Sequence, residues 1–358
     1  MMTVLSIAFP FAPVGPNLVG GAEQILSDLD QALTAHGDRS LVVACEGSQP
    51  SGRLFTLPAP RWDSLDEPDR SWCRERLHTA LNKALGLGDV DLIHAHCMDL
   101  YDYEFPPDIP LLVTLHLPIS WYSRETIRRY AEQARFVYVS ESQRRTGIRD
   151  LGDAAVIVNG VEVSSQLVDD TKSDFALVMG RICPEKNAHA ALEAGTRART
   201  RVVIGGQVYP YRSHQQYFDE KIEPLIESSK PPADHQFVGP LTPKQKQQLC
   251  ARAKCLLHPT LAPETSSLVA MESLAAGTPV IAYKSGALPE IVEDGVTGFL
   301  VENAEGMAKA IHEVRTISPQ ACHDAARTRF SKQRMIDEYF NLYSSILREG
   351  PKCSASIG

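Results

Sequence analysis

The sequence predicts an α/β protein built from two doubly wound domains, and three observations carry that expectation. The chain has 358 residues, room for two domains that each bury a core of their own. Short β-rich runs alternate with helix-length segments in two successive series, the pattern of parallel sheets covered by helices. The charge also changes along the chain: residues 1–165 hold 14 Lys and Arg against 22 Asp and Glu, whereas residues 166–358 hold 22 of each. The boundaries that follow are 1–165 for an N-terminal domain, 166–330 for a C-terminal domain, and 331–350 for a terminal helix joining them.

Composition narrows the function before any motif is read. A net charge of -8 leaves no global basic field for a polyanion, so nucleic acid is not an expected partner. The 8 cysteines are scattered without a C-x-x-C pair, which argues for free thiols in a reducing compartment and against a zinc ribbon or a disulfide framework. The apolar run at residues 4–14 is too short to span a bilayer, is broken by Pro10 and Pro13, and lacks a basic leader, so it reads as a strand of a cytoplasmic protein.

In chain order, residues 4–9, 41–45, 90–95, 111–115, 136–139 and 156–158 read as strands of the first series. Gly20 and Gly21 stand between the first strand and a helix running to about His36, whose Ile25, Leu29 and Leu33 form one stripe. Glycines there let backbone amides approach a ligand; the spacing is not G-x-G-x-x-G, and a tight turn is the alternative. His94 and His96 share a strand face beside Cys97, but no third ligand lies at motif spacing, so no metal is expected. Asp89-Val90-Asp91 precedes that strand, at the end away from a ligand crevice, and reads as a turn. Arg124, Arg128, Arg129, Arg135, Arg144, Arg145 and Arg149 read as a solvated helical face; an anionic acceptor or peripheral membrane contact is the less favoured alternative.

Residues 163–174 are polar and aperiodic, which suits a linker. Strands follow at 176–179, 202–205, 255–258, 280–283 and 299–301. Met335, Ile336, Tyr339, Phe340, Tyr343, Ile346 and Leu347 recur at helical spacing, giving a terminal helix one broad apolar face. That face docks either on its own domain or back on the N-terminal half; spacing leaves both open. Residues 351–358 read as a frayed tail.

Two segments carry chemistry. In Pro263-Glu264-Thr265-Ser266-Ser267-Leu268, continuing to Glu272, two glutamates eight apart flank a helix start with Thr265, Ser266 or Ser267 available as cap. Free amides at that end suit a phosphate and the carboxylates suit sugar hydroxyls, although two such glutamates also describe a solvated helix face. In Gly180-Arg181-Ile182-Cys183-Pro184-Glu185-Lys186, an apolar strand ends in Gly180, Pro184 suits a first helical turn, and Lys186 lies five residues beyond Arg181. The two cations can converge on a diphosphate at the strand's carboxyl end; an exposed turn is the bland alternative.

Those segments, with Ala282, Gly286-Ala287-Leu288-Pro289-Glu290, Gly295-Val296-Thr297-Gly298-Phe299, Gly205-Gly206 and Phe237-Val238-Gly239, closely resemble the retaining glycosyltransferases of GT-B fold, family 4. In the first half the resemblance rests on Gly20-Gly21-Ala22-Glu23, Ile93-His94-Ala95-His96, Thr114-Leu115-His116, Ser140-Glu141-Ser142 and Asn159-Gly160-Val161. It implies two Rossmann-like domains facing across a cleft, transfer of a sugar from a nucleotide diphosphate donor to a hydroxyl acceptor, and retained anomeric configuration. It further implies that Arg181 and Lys186 hold the diphosphate, Glu272 the ribose and Glu264 the donor-sugar hydroxyls. The main chain around Val238 would meet the nucleobase, and His116 would contact the sugar near the reacting carbon, a hydrogen-bonded core histidine being the alternative.

Gly20, Gly21, Gly180 and the stretch Thr265, Ser266, Ser267, Leu268 complete the expected donor site; a UDP- or GDP-sugar is the co-substrate, with no cofactor and no metal. Many relatives carry a glycine-containing, often aromatic, segment where this chain has Thr265-Ser266-Ser267, which leaves the donor sugar open. Rival readings are an epimerase or hydrolase on the same architecture, a catalytically silent nucleotide-sugar-binding subunit, and a nicotinamide dehydrogenase. Intact Arg181, Lys186, Glu264 and Glu272 weigh against the silent subunit, and the missing glycine fingerprint weighs against the dehydrogenase.

Overall fold

The computed structural model describes residues 1–16, 20–58, 67–98, 100, 103–147, 151, 154–164 and 172–352, the side chains of 67–73 excepted. The expectations for Cys73, Arg149, Cys353, most of the 163–174 linker and the tail beyond Lys352 lie outside those residues. The chain divides into two units: Met1–Asn159 with Gln333–Gly358, and Gly160–Lys332.

In the first unit seven strands form one parallel sheet: β1 (Thr3–Ile7), β2 (Arg39–Cys45), β3 (Arg53–Leu57), β4 (Leu92–Ala95), β5 (Leu111–Leu115), β6 (Ala134–Tyr138) and β7 (Ala155–Val156). Their order is β3-β2-β1-β4-β5-β6-β7. Helices cover both faces of such a sheet, so its central strands are buried throughout and read as continuous apolar runs. Every residue of β1 is buried, and Leu5 lies between Leu41 of β2 and Ile93 of β4. Sequence reading missed β3 because it is an edge strand: Leu54 to Leu57 alternate between more and less covered positions, and no apolar run stands out.

The second unit holds β8 (Phe175–Met179), β9 (Arg201–Gly205), β10 (Gln236–Gly239), β11 (Cys255–His258), β12 (Val280–Tyr283) and β13 (Gly298–Val301), in the parallel order β10-β9-β8-β11-β12-β13. Again an edge strand, β10, escaped prediction as a strand; none of its four residues is fully buried. Ala176, Val178, Val202, Ile204, Leu257 and Ile281 pack with the apolar stripes of the covering helices into one core. Two glycines make this sheet possible at its carboxyl edge. Gly206 lies against the Gly180 carbonyl so closely that a Cβ would drive into it, and Gly180 itself has a φ of 136°.

The terminal helix Lys332–Glu349 belongs to the first unit from Gln333 onward, which decides the docking left open by periodicity. Met335, Ile336, Tyr339, Tyr343 and Ile346 are its buried stripe. A buried tyrosine needs a partner for its hydroxyl. Tyr343 Oη lies 2.8 Å from His94 Nδ1 and Tyr339 Oη lies 3.0 Å from Thr114 Oγ1. Both partners sit on interior strands, β4 and β5, so the two hydroxyls key the helix to one sheet. Among the described residues no helix is long and apolar enough to cross a membrane.

Candidate functional site

In an open parallel sheet, ligands bind beyond the carboxyl ends of the strands where the strand order reverses. For the second unit that point lies between β8 and β11. The residue stretches expected to carry chemistry leave those two strand ends: Gly180 to Lys186 follows β8, and Pro259 to Ser267 follows β11. The chain after β8 makes a tight 3-10 turn, Pro184–Lys186, with proline at its first position, and then enters the helix Ala188–Arg197 through Asn187 in the left-handed conformation. Asn187 Nδ2 donates to the Pro259 carbonyl at 3.0 Å, and Leu261 N donates to the Glu185 carbonyl at 2.8 Å. The two loops are therefore fastened to each other by one backbone and one side-chain hydrogen bond, and their side chains start from fixed positions.

Glu264 is the electrostatic centre of this arrangement. Its Oε1 is ion-paired with Lys186 Nζ and lies 3.6 Å from His258 Nε2. Burial would raise the carboxyl's pKa, but the Lys186 charge and the His258 hydrogen bond outweigh it and hold the value at about 2. Its main chain is equally constrained: Ala287 N donates to the Glu264 carbonyl at 2.7 Å, and Gly286, with φ 55°, packs so tightly there that a Cβ would collide with Glu264 backbone atoms. His258 Nε2 also lies 3.0 Å from Ser267 Oγ. Ser267 is the N-cap of the helix Leu268–Ala275 and accepts from Ala270 N at 3.3 Å, so of the three candidate caps it is Ser267 that caps.

Glu272 lies on that helix and pairs through Oε1 with Lys246 Nζ at 2.5 Å, from the helix Pro243–Arg252. Its other oxygen, Oε2, is buried without a hydrogen-bond partner, and so is Ser266 Oγ. Buried polar atoms are nearly always paired, so two orphans among the residues of one expected ligand site mark where a polar ligand fits. Arg181 is exposed; its carbonyl accepts from Cys183 Sγ at 3.8 Å, and its charge acts on Cys183, Glu185 and His214. Val238 is an exposed apolar residue of β10, followed by Gly239 at φ 72°. The structure thus couples Lys186 with Glu264, which sequence reading had assigned to different parts of a ligand, and sets the Arg181 charge near Glu185 and His214.

In the first unit, Gly20 caps the helix Gly21–His36 at φ 151°, and the Glu23 side chain folds back over it where a Cβ would stand. His116 follows β5, and its Nε2 lies 3.1 Å from His96 Nδ1 with the rings stacked at 5.3 Å. Burial lowers the His116 pKa to about 4; burial, with the neighbouring His116, lowers that of His94 to about 3. Burial, then His94 and His116, hold His96 well below its ordinary value. All three are neutral imidazoles near pH 7. His94 also reaches Thr114 Oγ1 at 2.8 Å, and Cys97 Sγ donates to the Ala8 carbonyl at 3.4 Å, so this group is joined by internal hydrogen bonds.

Asp91 accepts from Thr3 N at 2.7 Å and Asp89 pairs with Arg39 at 3.0 Å, both at the amino ends of the strands. The segment is an irregular loop following a turn at 86–87, at the strand end the sequence suggested. Of the arginine cluster, Arg135 pairs with Glu349 at 3.0 Å and Arg144 with Glu141 at 2.7 Å.

His258 and Lys246 are the site residues that sequence reading missed. A signal existed for His258, the last residue of β11 and hence at a strand's carboxyl end. Lys246 carried none: it meets Glu272 only through the packing of two helices.

Comparison with known proteins bears on the whole chain. The family model for Glycosyltransferase Family 4 matches residues 19–165, and that for Glycosyl transferases group 1 matches residues 162–330. A phosphatidyl-myo-inositol mannosyltransferase of Mycolicibacterium smegmatis is 28% identical over 256 residues, 65% of this chain and 64% of its own. A lipopolysaccharide 1,2-N-acetylglucosaminetransferase of Salmonella typhimurium is 28% identical over 157 residues, 42% of this chain and 41% of its own. The chain thus spans less than two thirds of the length of these curated relatives. Among solved structures, the sucrose-phosphate synthase of Thermosynechococcus elongatus superposes with a TM-score of 0.80 at 18% identity, covering 98% of this chain and 100% of that one. Anabaena HepE in complex with UDP-glucose gives 0.71 at 19% identity, covering 96% and 100%. These likenesses show the GT-B fold.

Proposed function

Because the chain belongs to the GT-B glycosyltransferases of family 4, we propose that it transfers a sugar from a nucleotide diphosphate sugar to a hydroxyl acceptor with retention of anomeric configuration. The observation that carries this reading is the Glu264 centre: a carboxylate kept ionised by Lys186 and His258 at the switch point of the second unit, with the unpartnered Ser266 Oγ and Glu272 Oε2 on neighbouring positions of the chain.

Each group has a task in that reaction. Glu264, an acceptor of hydrogen bonds at any physiological pH, holds donor-sugar hydroxyls. Glu272 Oε2 takes a ribose hydroxyl while Lys246 orients the carboxylate through Oε1. Arg181, Lys186 and the amides of Thr265 to Leu268 neutralise the departing diphosphate, so catalysis is chiefly positioning and charge stabilisation, without a metal. The main chain at Val238 meets the base. A neutral His116 takes the sugar contact that the family resemblance implies. The acceptor hydroxyl attacks the face the diphosphate leaves, and a donor phosphate oxygen receives its proton. The thiols of Cys255 and Cys322 are pushed up by burial to about 12 and take no part in the chemistry.

The test is a thermal-shift panel of nucleotide sugars followed by product analysis. UDP-glucose leads the panel because HepE was solved with it; N-acetylglucosamine and mannose donors follow from the names of the curated relatives. A stabilising donor whose sugar reaches an added hydroxyl acceptor with retained configuration is the expected result. Conversion of that donor without acceptor would favour the epimerase or hydrolase reading, and stabilisation without any turnover the silent subunit.

A further inference from the structure

Cys183, Glu185 and His214 form a second constellation in the same unit, apart from every role assigned above. One ligand atom from each, the Cys183 sulfur, a Glu185 carboxylate oxygen and a His214 ring nitrogen, all lie within 4.8 Å of one another. Cys183 and Glu185 sit on the loop after β8, and His214 on the short helix Arg212–Tyr217 that follows β9. Sequence reading could not find them as a set, because the cysteine and the histidine belong to successive β-α crossings.

We propose that these three side chains form a binding site for a borderline-soft divalent cation of the zinc class. Three features of the group support this. The donor set of sulfur, imidazole nitrogen and carboxylate oxygen matches zinc, whereas magnesium and calcium select oxygen alone. His214 is only 7% exposed, and its Nδ1 is buried without a hydrogen-bond partner, a cost that bonding to a cation relieves. The positions are also preorganised. The Glu185 carbonyl accepts from Leu261 N at 2.8 Å and Thr260 Oγ1 at 3.2 Å, while the His214 ring packs edge-on against Tyr211 at 5.0 Å.

Binding replaces the Cys183 S–H bond with a sulfur–metal bond and releases the proton to solvent, so affinity rises with pH; the Arg181 charge, which acts on all three ligands, favours the thiolate and opposes the cation. Three protein ligands leave the fourth tetrahedral position to water. The cation fastens the loop that carries Arg181 and Lys186 to the segment after β9. It does so whether or not the donor is a nucleotide sugar, so the proposal stands apart from the glycosyl-transfer reading.

Cobalt(II) titrated into the reduced, metal-stripped full-length protein tests the site. The expected result is a cobalt–thiolate charge-transfer band that zinc displaces and magnesium does not. The band is lost in Cys183→Ser and retained in Cys322→Ser, whose thiol is buried elsewhere. His214→Gln and Glu185→Gln weaken cobalt affinity by at least about tenfold, the loss typical of even an outer partner of a metal ligand. Circular dichroism on each variant separates unfolding from ligand loss; should Cys183→Ser unfold, the two other variants decide alone. Absence of the band in the wild-type protein, its persistence in folded Cys183→Ser, or unchanged affinity in both other variants overturns the proposal.

Discussion

Replacing Lys186 with methionine is expected to destabilise the second unit by about 3 kcal/mol at pH 7, beyond any effect on turnover. The magnitude follows from Glu264. Its carboxyl lies at about 2 against an ordinary 4.5, so the charges and hydrogen bond around it outweigh burial by roughly 3 kcal/mol. Without Lys186 the carboxylate is left buried beside His258 alone, and breaking such a pair typically costs about 3–5 kcal/mol before proton uptake relieves part of it.

The pH dependence gives the diagnosis. A carboxyl with a depressed folded-state pKa contributes stability that is fully present above 4.5 and is lost as pH falls through about 2. Loss of Lys186 also lets burial raise the Glu264 pKa in the variant, so the difference between wild type and Lys186→Met should narrow as pH falls from neutrality through about 2. Tryptophan fluorescence is the wrong probe, because Trp62, Trp72 and Trp121 all belong to the first unit. Hydrogen exchange of peptides spanning β8, β11 and the helix Leu268–Ala275 reports on the second. The double variant Lys186→Met with Glu264→Gln should regain most of the loss, since it removes the stranded charge. A variant within about 0.5 kcal/mol of wild type, or a gap that does not change with pH, would refute the electrostatic account of Glu264.

Arg181→Ala should behave oppositely to Lys186→Met: stability within about 0.5 kcal/mol of wild type, and kcat/KM lowered by roughly 2–4 kcal/mol of transition-state stabilisation. Near-normal turnover at saturating donor would remove Arg181 from the diphosphate site. By calorimetry, Glu272→Ala should weaken binding of the bare nucleotide diphosphate and Glu264→Ala chiefly that of the nucleotide sugar; equal losses for both ligands in both variants contradict the division of roles. Buried His94 and partly buried His116 make the first unit acid-sensitive: with His116 at about 4 and His94 at about 3, stability present above 6.5 is lost as pH falls toward those values. A Trp121 unfolding transition that does not shift between pH 6.5 and 4 counts against this. Excess EDTA should leave most of the turnover, removing at most what a cation at Cys183, Glu185 and His214 adds by fastening the loop; complete loss restored by manganese or magnesium would show that Arg181 and Lys186 are not the main diphosphate charge.

Among the strands, legibility followed the length of the apolar run. The interior strands β1, β2, β4, β5, β8, β11 and β12 read as apolar runs because helices cover both their faces, so their sequences answer to one constraint over four or more residues. Of the four edge strands, β3 and β10 were passed over, whereas β7 and β13 were read because Val156-Ile157-Val158 and Phe299-Leu300-Val301 are still apolar runs. Motif residues were equally legible: Gly180, Arg181, Lys186, Glu264 and Glu272 stand at strand ends and a helix start, where local spacing already limits what they can do.

Tertiary structure alone decided the pairings. That Lys186 meets Glu264, Lys246 meets Glu272, and Tyr343 meets His94 depends on which helix packs on which strand, and the partners lie 78, 26 and 249 residues apart. Periodicity specified that the terminal helix needed a surface but not which one; buried hydroxyls of Tyr339 and Tyr343 found acceptable partners only where His94 and Thr114 interrupt an apolar sheet. Local sequence sets which groups are chemically able to act, because residue type and spacing are local quantities. Burial and electrostatic coupling are sums over neighbours distant in the chain, so the ionised state of Glu264 and the neutrality of the three histidines belong to the fold.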